Sequence, residues 1–256
     1  MEPPAPRRLA IRPGGIGDTI LSFPALQHLQ PAEVWMREEV LPLWPGSRSL
    51  VAAGVDRILD TAPAGLFAGF DEIHSWYGAK RPEFRAALEA VHPRVFWYDA
   101  LPPAASTQHA ADFFACQTGA LTPAFPEIAV AARPNRIVWI HPFSGSQQKN
   151  WPLENFALLA RYLEAAGRSV QFLRAPHQNL PGAQVFENLR ELGEYLAGGS
   201  LYIGNDCGIT HLAAAVGAPT IAIFATTDAR VWAPRGKSVE VLLRPNIDTV
   251  LAAALK

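Results

Sequence analysis

Short apolar runs alternate with amphipathic stretches along the chain, and the alternation predicts a repeating order of strand, loop and helix. Leu9–Arg12 reads as a strand and Asp18–Leu29 as the helix after it, which Pro24 should kink or divide. Val34–Arg37, Arg57–Asp60, Glu72–Trp76 and Arg94–Tyr98 read as short strands, and Pro82–Val91 and Thr107–Thr118 as helices. Gly119 to Asn135 carries Pro123, Pro126 and Pro134 without helical periodicity, so it reads as a linker. The pattern then restarts. Arg136–Ile140, Ser169–Leu173, Leu201–Gly204, Pro219–Phe224 and Ser238–Leu243 are expected strands. Leu153–Ala166, Asn188–Ala197, Gly208–Val216 and Asn246–Leu255 are expected helices. Leu153, Phe156, Leu159 and Leu163 fall on one face of the first of these, and Pro152 suits its opening turn.

Such alternation belongs to an α/β fold, with parallel sheets covered by helices. Two runs separated by a proline-rich break predict an N-terminal domain over 1–118, a linker over 119–135 and a C-terminal domain over 136–256.

Composition narrows the picture. Hydrophobic residues make up 49% of the 256 and charged residues 18%, enough to bury a core and too apolar for disorder. A net charge of −1 gives no general attraction to nucleic acid. Cys116 and Cys207 form neither a disulfide framework nor a metal spacing, so a reducing, cytoplasmic setting is expected. The proline-rich start, Met1 to Arg8, has no apolar signal core, and Leu212 to Phe224 is broken by Gly217 and Pro219 and too short to span a bilayer. Any membrane contact is expected to be peripheral, at the inner face. The histidines are scattered and no His/Asp/Glu cluster has ligand spacing, so no metal or cofactor is expected.

Ligands of parallel α/β sheets bind beyond the carboxyl ends of the strands, which singles out three loops. The first is Arg12-Pro13-Gly14-Gly15-Ile16-Gly17-Asp18. Its glycines, Gly14, Gly15 and Gly17, allow a tight turn and close approach of a ligand. Asp18 reads equally as a helix N-cap or as a general base at a cleft. The spacing does not match the dinucleotide fingerprint, although Glu38 lies about where a ribose-binding acid would fall.

The second loop runs from His141 to Pro152. Backbone N–H groups, Ser144, Gly145, Ser146 and Lys149 form a cradle suited to a diphosphate, with a solvated loop as the plainer alternative. The third is Gly204-Asn205-Asp206-Cys207-Gly208, leading into Ile209-Thr210-His211. Its helix N-terminus offers free N–H groups, and Gly208 has no side chain to block a ligand. Asp206 is placed to cap the helix or to bind sugar hydroxyls, and His211 lies on the ligand side or packed beneath it. No histidine or base stands beside Cys207 in sequence, so a nucleophilic thiol is not expected there. Asp228 and Arg230 stand just past a strand end, either lining the cleft or on the surface. Trp76, Tyr77, Trp97 and Tyr98 read as core or as a sugar-stacking platform.

Together the three loops resemble the ADP-heptose:lipopolysaccharide heptosyltransferase family, glycosyltransferase family nine. Arg-x-Gly-x-Ile-Gly-Asp with Pro24 and Leu26, Lys149-Asn150-Trp151-Pro152 with Phe156 and Leu159, and Asn205-Asp206-Cys207-Gly208-Ile209-Thr210-His211-Leu212-Ala213-Ala214 carry the likeness. The resemblance implies a GT-B fold, two Rossmann-like domains with parallel sheets facing a cleft. It implies inverting, metal-independent transfer of a sugar such as heptose from an ADP-linked or other nucleotide-diphosphate donor to an acceptor hydroxyl. Asp18 would then be the base, Lys149 would neutralise the diphosphate, and Asp206, Gly208 and His211 would hold the donor. The acceptor would be a glycan or glycolipid, as in lipopolysaccharide synthesis.

Three features depart from the pattern. Cys207 stands where a hydroxyl residue is usual. The glutamate often found near Arg174-Ala175-Pro176-His177 is missing. Residues 1–118 hold ten Lys/Arg against thirteen Asp/Glu, which does not favour an anionic acceptor. A sugar-nucleotide epimerase of the same shape, and a non-catalytic sugar-nucleotide binding protein, remain the alternatives.

Overall fold

A computed structural model describes residues 5–50 and 64–256. The strand expected over Arg57–Asp60 lies outside them. Two five-stranded sheets form, with every strand pair parallel. The first contains β1 (Arg8–Ile11), β2 (Glu33–Met36), β3 (Ser47–Ser49), β4 (Glu72–Ser75) and β5 (Val95–Trp97) in the order β3-β2-β1-β4-β5. The second contains β6 (Ile137–His141), β7 (Ser169–Phe172), β8 (Leu201–Asn205), β9 (Thr220–Phe224) and β10 (Val239–Leu243) in the order β10-β9-β8-β6-β7. β3 was not anticipated, because Ser47-Arg48-Ser49 has no apolar content and pairs only as an edge.

Both faces of each sheet are covered, so the central strands are apolar almost throughout. Leu9, Ala10 and Ile11 in β1, and Ile221, Ala222, Ile223 and Phe224 in β9, are buried. Each sheet reverses its strand order once, between β1 and β4 and between β6 and β8. Those switch points are where an open α/β sheet leaves a crevice. The loops after β1, β6 and β8, singled out from sequence, all leave there.

The expected helix over Asp18–Leu29 divides into Ile16–Leu21 and Phe23–Leu29, meeting at Ser22. Pro24 has no N–H to give the Ile20 carbonyl, and its ring would clash with that carbonyl, so the proline opens a second helix. Ser22 Oγ donates to Thr19 O at 2.7 Å, satisfying one carbonyl at the break. In the helix Leu153–Ala165, Phe156, Leu159, Ala160 and Leu163 are buried, whereas Leu153 is exposed at the first turn; Pro152 is the N-cap and lies just outside the helix.

Between Gly119 and Arg136 no strand or helix forms, but the segment is anchored. Ile128 N–H donates to Ala215 O, and Arg133 N–H to Glu194 O. Helix Ala110–Thr118 packs on Phe23–Leu29 and also reaches the second half of the chain. Asp112 accepts a two-pronged contact from Arg235, at 2.6 and 2.7 Å, and His109 Nε2 donates to Ala233 O at 2.8 Å. No described helix is long and apolar enough to cross a membrane.

Candidate active site

The loop after β1 is built around a buried cation. Arg12 is 1% exposed, and its guanidinium donates to Ser22 Oγ (2.9 Å), Pro13 O (2.7 Å) and Asp18 O (2.9 Å). It lies over the Phe114 ring at 4.5 Å. Burial lowers its pKa to about 10, against the opposing pull of Asp18, so it stays charged at neutral pH. Arg12 thus ties together the two ends of the glycine loop. In the sequence Arg12 is marked only as the first residue of the Arg-x-Gly-x-Ile-Gly-Asp run.

Gly14 has φ +139°, which a residue with a side chain rarely adopts. Gly15 is extended and caps the helix, since Thr19 N–H already donates to Gly15 O. Asp18 is therefore not the N-cap. It stands at the third helical position, where Oδ2 accepts the Gly15 N–H at 3.3 Å, the reciprocal half of a capping box.

The loops after β6 and β8 are clamped together by Asn205. This fully buried amide donates to Pro142 O at 2.8 Å and accepts the Trp151 N–H at 2.9 Å. The clamp sets Lys149, at the end of the 3-10 turn Gln147–Lys149, against Asp206. Lys149 Nζ is 2.9 Å from Asp206 Oδ2, and Thr227 Oγ1 donates to the same oxygen at 2.6 Å. Asp206 does not cap the following helix; Cys207 occupies that position. Ser144 Oγ sits 2.7 Å from both Ser146 O and Asn150 Oδ1, which folds the loop on itself.

Gly208 behaves otherwise than its sequence context implied. A Cβ there would lie 2.6 Å from Ile16 Cβ and 3.0 Å from Gly17 N. The missing side chain admits the facing helix Ile16–Leu21 from the other half of the chain. The helices Ile16–Leu21 and Gly208–Ala215 thus pack against each other, one from each half of the chain.

Beside this contact opens a cavity of about 990 Å³, lined from both halves. Gly15, Gly17, Asp18, Glu38, Glu39 and Leu101 come from one side; Ser144, Gly145, Lys149, Asp206, Cys207, Gly208, His211 and Thr227 come from the other. Of the residues picked from sequence, Gly14 and Ser146 do not line it. Asp228 and Arg230 do not either; they pair with each other on the surface at 2.7 Å. Thr227, their neighbour, is the residue turned inward, and only its place just past β9 marked it. Trp76, Tyr77, Trp97 and Tyr98 are not on the wall: Trp76 is buried against Tyr98, and Tyr77 and Trp97 pack on Phe84. Where the glutamate was missed, Arg174 lines the cavity and donates to the carbonyls of Ala175, Pro176 and Gln178, curling that loop around its own guanidinium.

His211 is 5% exposed, and burial lowers its pKa to about 4, so the ring is neutral at pH 7. Its Nδ1 has no hydrogen-bond partner among the described residues. Cys207 differs most from expectation. Its Sγ lies 3.4 Å from His141 Nδ1, a histidine 66 residues away at the end of β6, and 3.3 Å from Thr210 Oγ1. Among the described residues no group of three or more His, Cys, Asp or Glu is placed to hold a metal ion.

The sequence profile of Glycosyltransferase family 9 (heptosyltransferase) matches residues 99–250, more than half of the chain. The protein belongs to this family. It is therefore a glycosyltransferase, and the match takes in Lys149, Asp206 and His211 while leaving Asp18 outside.

Solved structures agree on the fold. The E. coli ADP-heptose LPS heptosyltransferase II is 15% identical, with a TM-score of 0.72 and 97% of each chain covered. A family 9 glycosyltransferase from Veillonella parvula is 18% identical, with a TM-score of 0.72 over 100% of this chain and 90% of that one. E. coli heptosyltransferase WaaC with ADP is 18% identical, with a TM-score of 0.65 and 97% of each chain covered. The iron-containing dodecameric TibC of enterotoxigenic E. coli is 15% identical, with a TM-score of 0.61 over 94% of this chain and 65% of that one. No curated protein sequence matches the chain significantly. The two parallel sheets of this family 9 glycosyltransferase thus form a GT-B architecture.

Proposed function

We propose that the enzyme transfers a sugar, with inversion and without a metal ion, from a nucleotide-diphosphate donor of the ADP-heptose type to an acceptor hydroxyl. One observation carries this reading. Asp18 from the first half, and the Lys149–Asp206 pair from the second, open into the same cavity. In this reading residues 136–256 hold the donor, and residues 1–118 receive the acceptor.

As the bond between the anomeric carbon and the diphosphate breaks, negative charge builds on the leaving phosphate. Lys149, partly exposed at the cavity wall, meets that charge, together with the N–H groups opening the helix Gly208–Ala215. Asp206 holds the ammonium in place beforehand through Oδ2, and its Oδ1 is assigned to a donor hydroxyl. Asp18 takes the proton of the acceptor oxygen as it attacks the opposite face of the sugar ring. Its Oδ2 accepts the Gly15 N–H, and its Oδ1 has no hydrogen-bond partner among the described residues. Glu38 and Glu39 line the cavity; Glu39 is paired with Arg37 at 2.6 Å, so the charge of Glu38 is the one that favours a neutral over an anionic acceptor. E. coli WaaC is known with ADP and TibC with ADP-D-beta-D-heptose, which supports the choice of donor class.

Calorimetry with ADP in EDTA, followed by ADP release from an ADP-sugar with and without a glycan acceptor, tests the reading. Binding in EDTA and acceptor-dependent release are expected. Binding that required a divalent or iron ion would overturn the metal-free scheme, and no ADP binding under either condition would overturn the donor assignment.

A further inference from the structure

Cys207 is the N-cap residue of the helix Gly208–Ala215; its carbonyl, not its sulfur, takes the Thr210 and His211 N–H groups, and the sulfur lies near the positive end of that helix. From β6, His141 brings Nδ1 to 3.4 Å from Sγ. Thr210 Oγ1 sits at 3.3 Å and Tyr202 Oη at 4.0 Å. The other acidic group nearby, Asp206, is turned to Lys149 and Thr227. Cys207 and His141 both line the cavity, so a small molecule reaches the pair. His211, one turn along the same helix, lines the same wall with a buried, unpartnered Nδ1.

We propose that Cys207 and His141 form a reactive cysteine–histidine pair, and that Cys207 is a modification site oxidised by hydroperoxides. The thiol proton passes from Sγ to His141 Nδ1. A lone pair on sulfur then attacks one peroxide oxygen, an S–O bond forms and the O–O bond breaks. Sulfur loses two electrons, and the departing oxygen gains them and takes the proton from His141. The products are a sulfenic acid and water from hydrogen peroxide, or an alcohol from an organic hydroperoxide.

Burial opposes ionisation of this thiol. The charge and hydrogen bond of His141, with the Thr210 hydroxyl and N–H, outweigh burial and bring the thiol down to about 7. The added oxygen would enter the wall next to Asp206 and Lys149, so oxidation is expected to weaken binding in the cavity. The reactivity itself does not rest on the proposed donor.

Cys116 is a reference within the same molecule, because it is exposed and lies outside the cavity. The experiment follows iodoacetamide labelling of each cysteine by peptide mass spectrometry between pH 5 and 9. Cys207 should be alkylated faster than Cys116 at pH 6, with a midpoint near 7, despite its lesser exposure. His141→Asn keeps a polar group near Sγ but cannot take the proton, so it should move the midpoint up and slow labelling at pH 6. A Cys207 profile that follows that of Cys116, or no labelling of Cys207 in the folded protein, overturns the proposal; both are read on the unaltered protein and need no variant to fold. After hydrogen peroxide, a dimedone adduct is expected on Cys207 and not on Cys116, and an adduct on Cys116 alone overturns the oxidation step. ADP is then added as protectant. Fast labelling that ADP does not slow leaves the reactive pair standing and counts against the proposed donor site, so the two readings fail separately.

Discussion

Gly17 and His211 meet so closely across the cleft that a Cβ on Gly17 would lie 2.8 Å from His211 Cδ2. The neighbouring Gly208 is packed as tightly against Ile16. At this contact a glycine of each helix is packed against a side chain of the other, Gly17 against His211 and Gly208 against Ile16.

Gly17→Ala should force the helices apart or displace the His211 ring, costing about 1–3 kcal/mol by overpacking. A thermal melt should show a lower Tm. Gly145→Ala is the comparison, since nothing lies within 4 Å of its Cβ position and its Tm should not change. Equal melting temperatures for the two variants would mean that the contact does not hold the halves together.

Lys149→Ala should weaken nucleotide-diphosphate binding by roughly 10- to 100-fold, the worth of a charge-assisted contact of about 1.5–3 kcal/mol. It also leaves the buried Asp206 carboxylate with Thr227 as its remaining partner. A small loss of stability should accompany the loss of affinity, tempered because the Lys149 ammonium is partly in solvent. Titration calorimetry with ADP measures the first effect. An unchanged Kd would remove Lys149 from the donor site.

Asp18→Asn separates the helix contact from the chemistry. The Asn carbonyl still accepts the Gly15 N–H, so the fold should persist, but an amide cannot take up a proton at neutral pH. Turnover at saturating donor should fall by roughly two to four powers of ten. Asp18→Ala should lose as much activity and, with the Gly15 contact gone, up to about 1 kcal/mol of stability. Near-normal turnover of Asp18→Asn would leave the residue a purely structural partner of Gly15.

His211 makes stability depend on pH. Its folded-state pKa, about 4, is below the unfolded value of about 6.5. Between those values the unfolded chain binds the proton and the folded one does not. Stability should therefore be intact above pH 6.5 and fall as pH drops toward 4, by about 1.4 kcal/mol per pH unit from this group. Burial lowers His74 and His109 as well, which adds to the slope in the same direction. Urea melts at pH 7, 5.5 and 4.5 measure it, and His211→Gln should flatten the curve. An equally steep curve in that variant would place the acid sensitivity elsewhere.

Some of the site was legible because it is local. The glycines before Asp18 announce a tight turn, since Gly14 needs a backbone conformation that side chains resist. Asn188 and Asn246 mark helix starts by accepting the N–H three residues on. Misplaced boundaries have local causes too. Asp18, the first good capping side chain, reads as one candidate N-cap, whereas Gly15 starts the helix through its backbone carbonyl. Ser47–Ser49 went unseen because it has the composition of a loop, and it is a strand only because Val34, Trp35 and Met36 lie beside it.

By itself, then, the sequence determined the alternation of strands and helices, the two sheets, and which strand-end loops line the cavity. Apolar periodicity and glycine placement act over a few residues and can be read there. Only the tertiary structure decided which side chains meet: Lys149 with Asp206, Cys207 with His141, Gly17 with His211. These partners lie 57 residues apart or more. They meet because β6 and β8 are neighbours in a parallel sheet and because the helices Ile16–Leu21 and Gly208–Ala215 pack against each other. A carboxylate, a thiol or an imidazole takes its charge from what stands within a few ångströms, and chain order does not specify that distance.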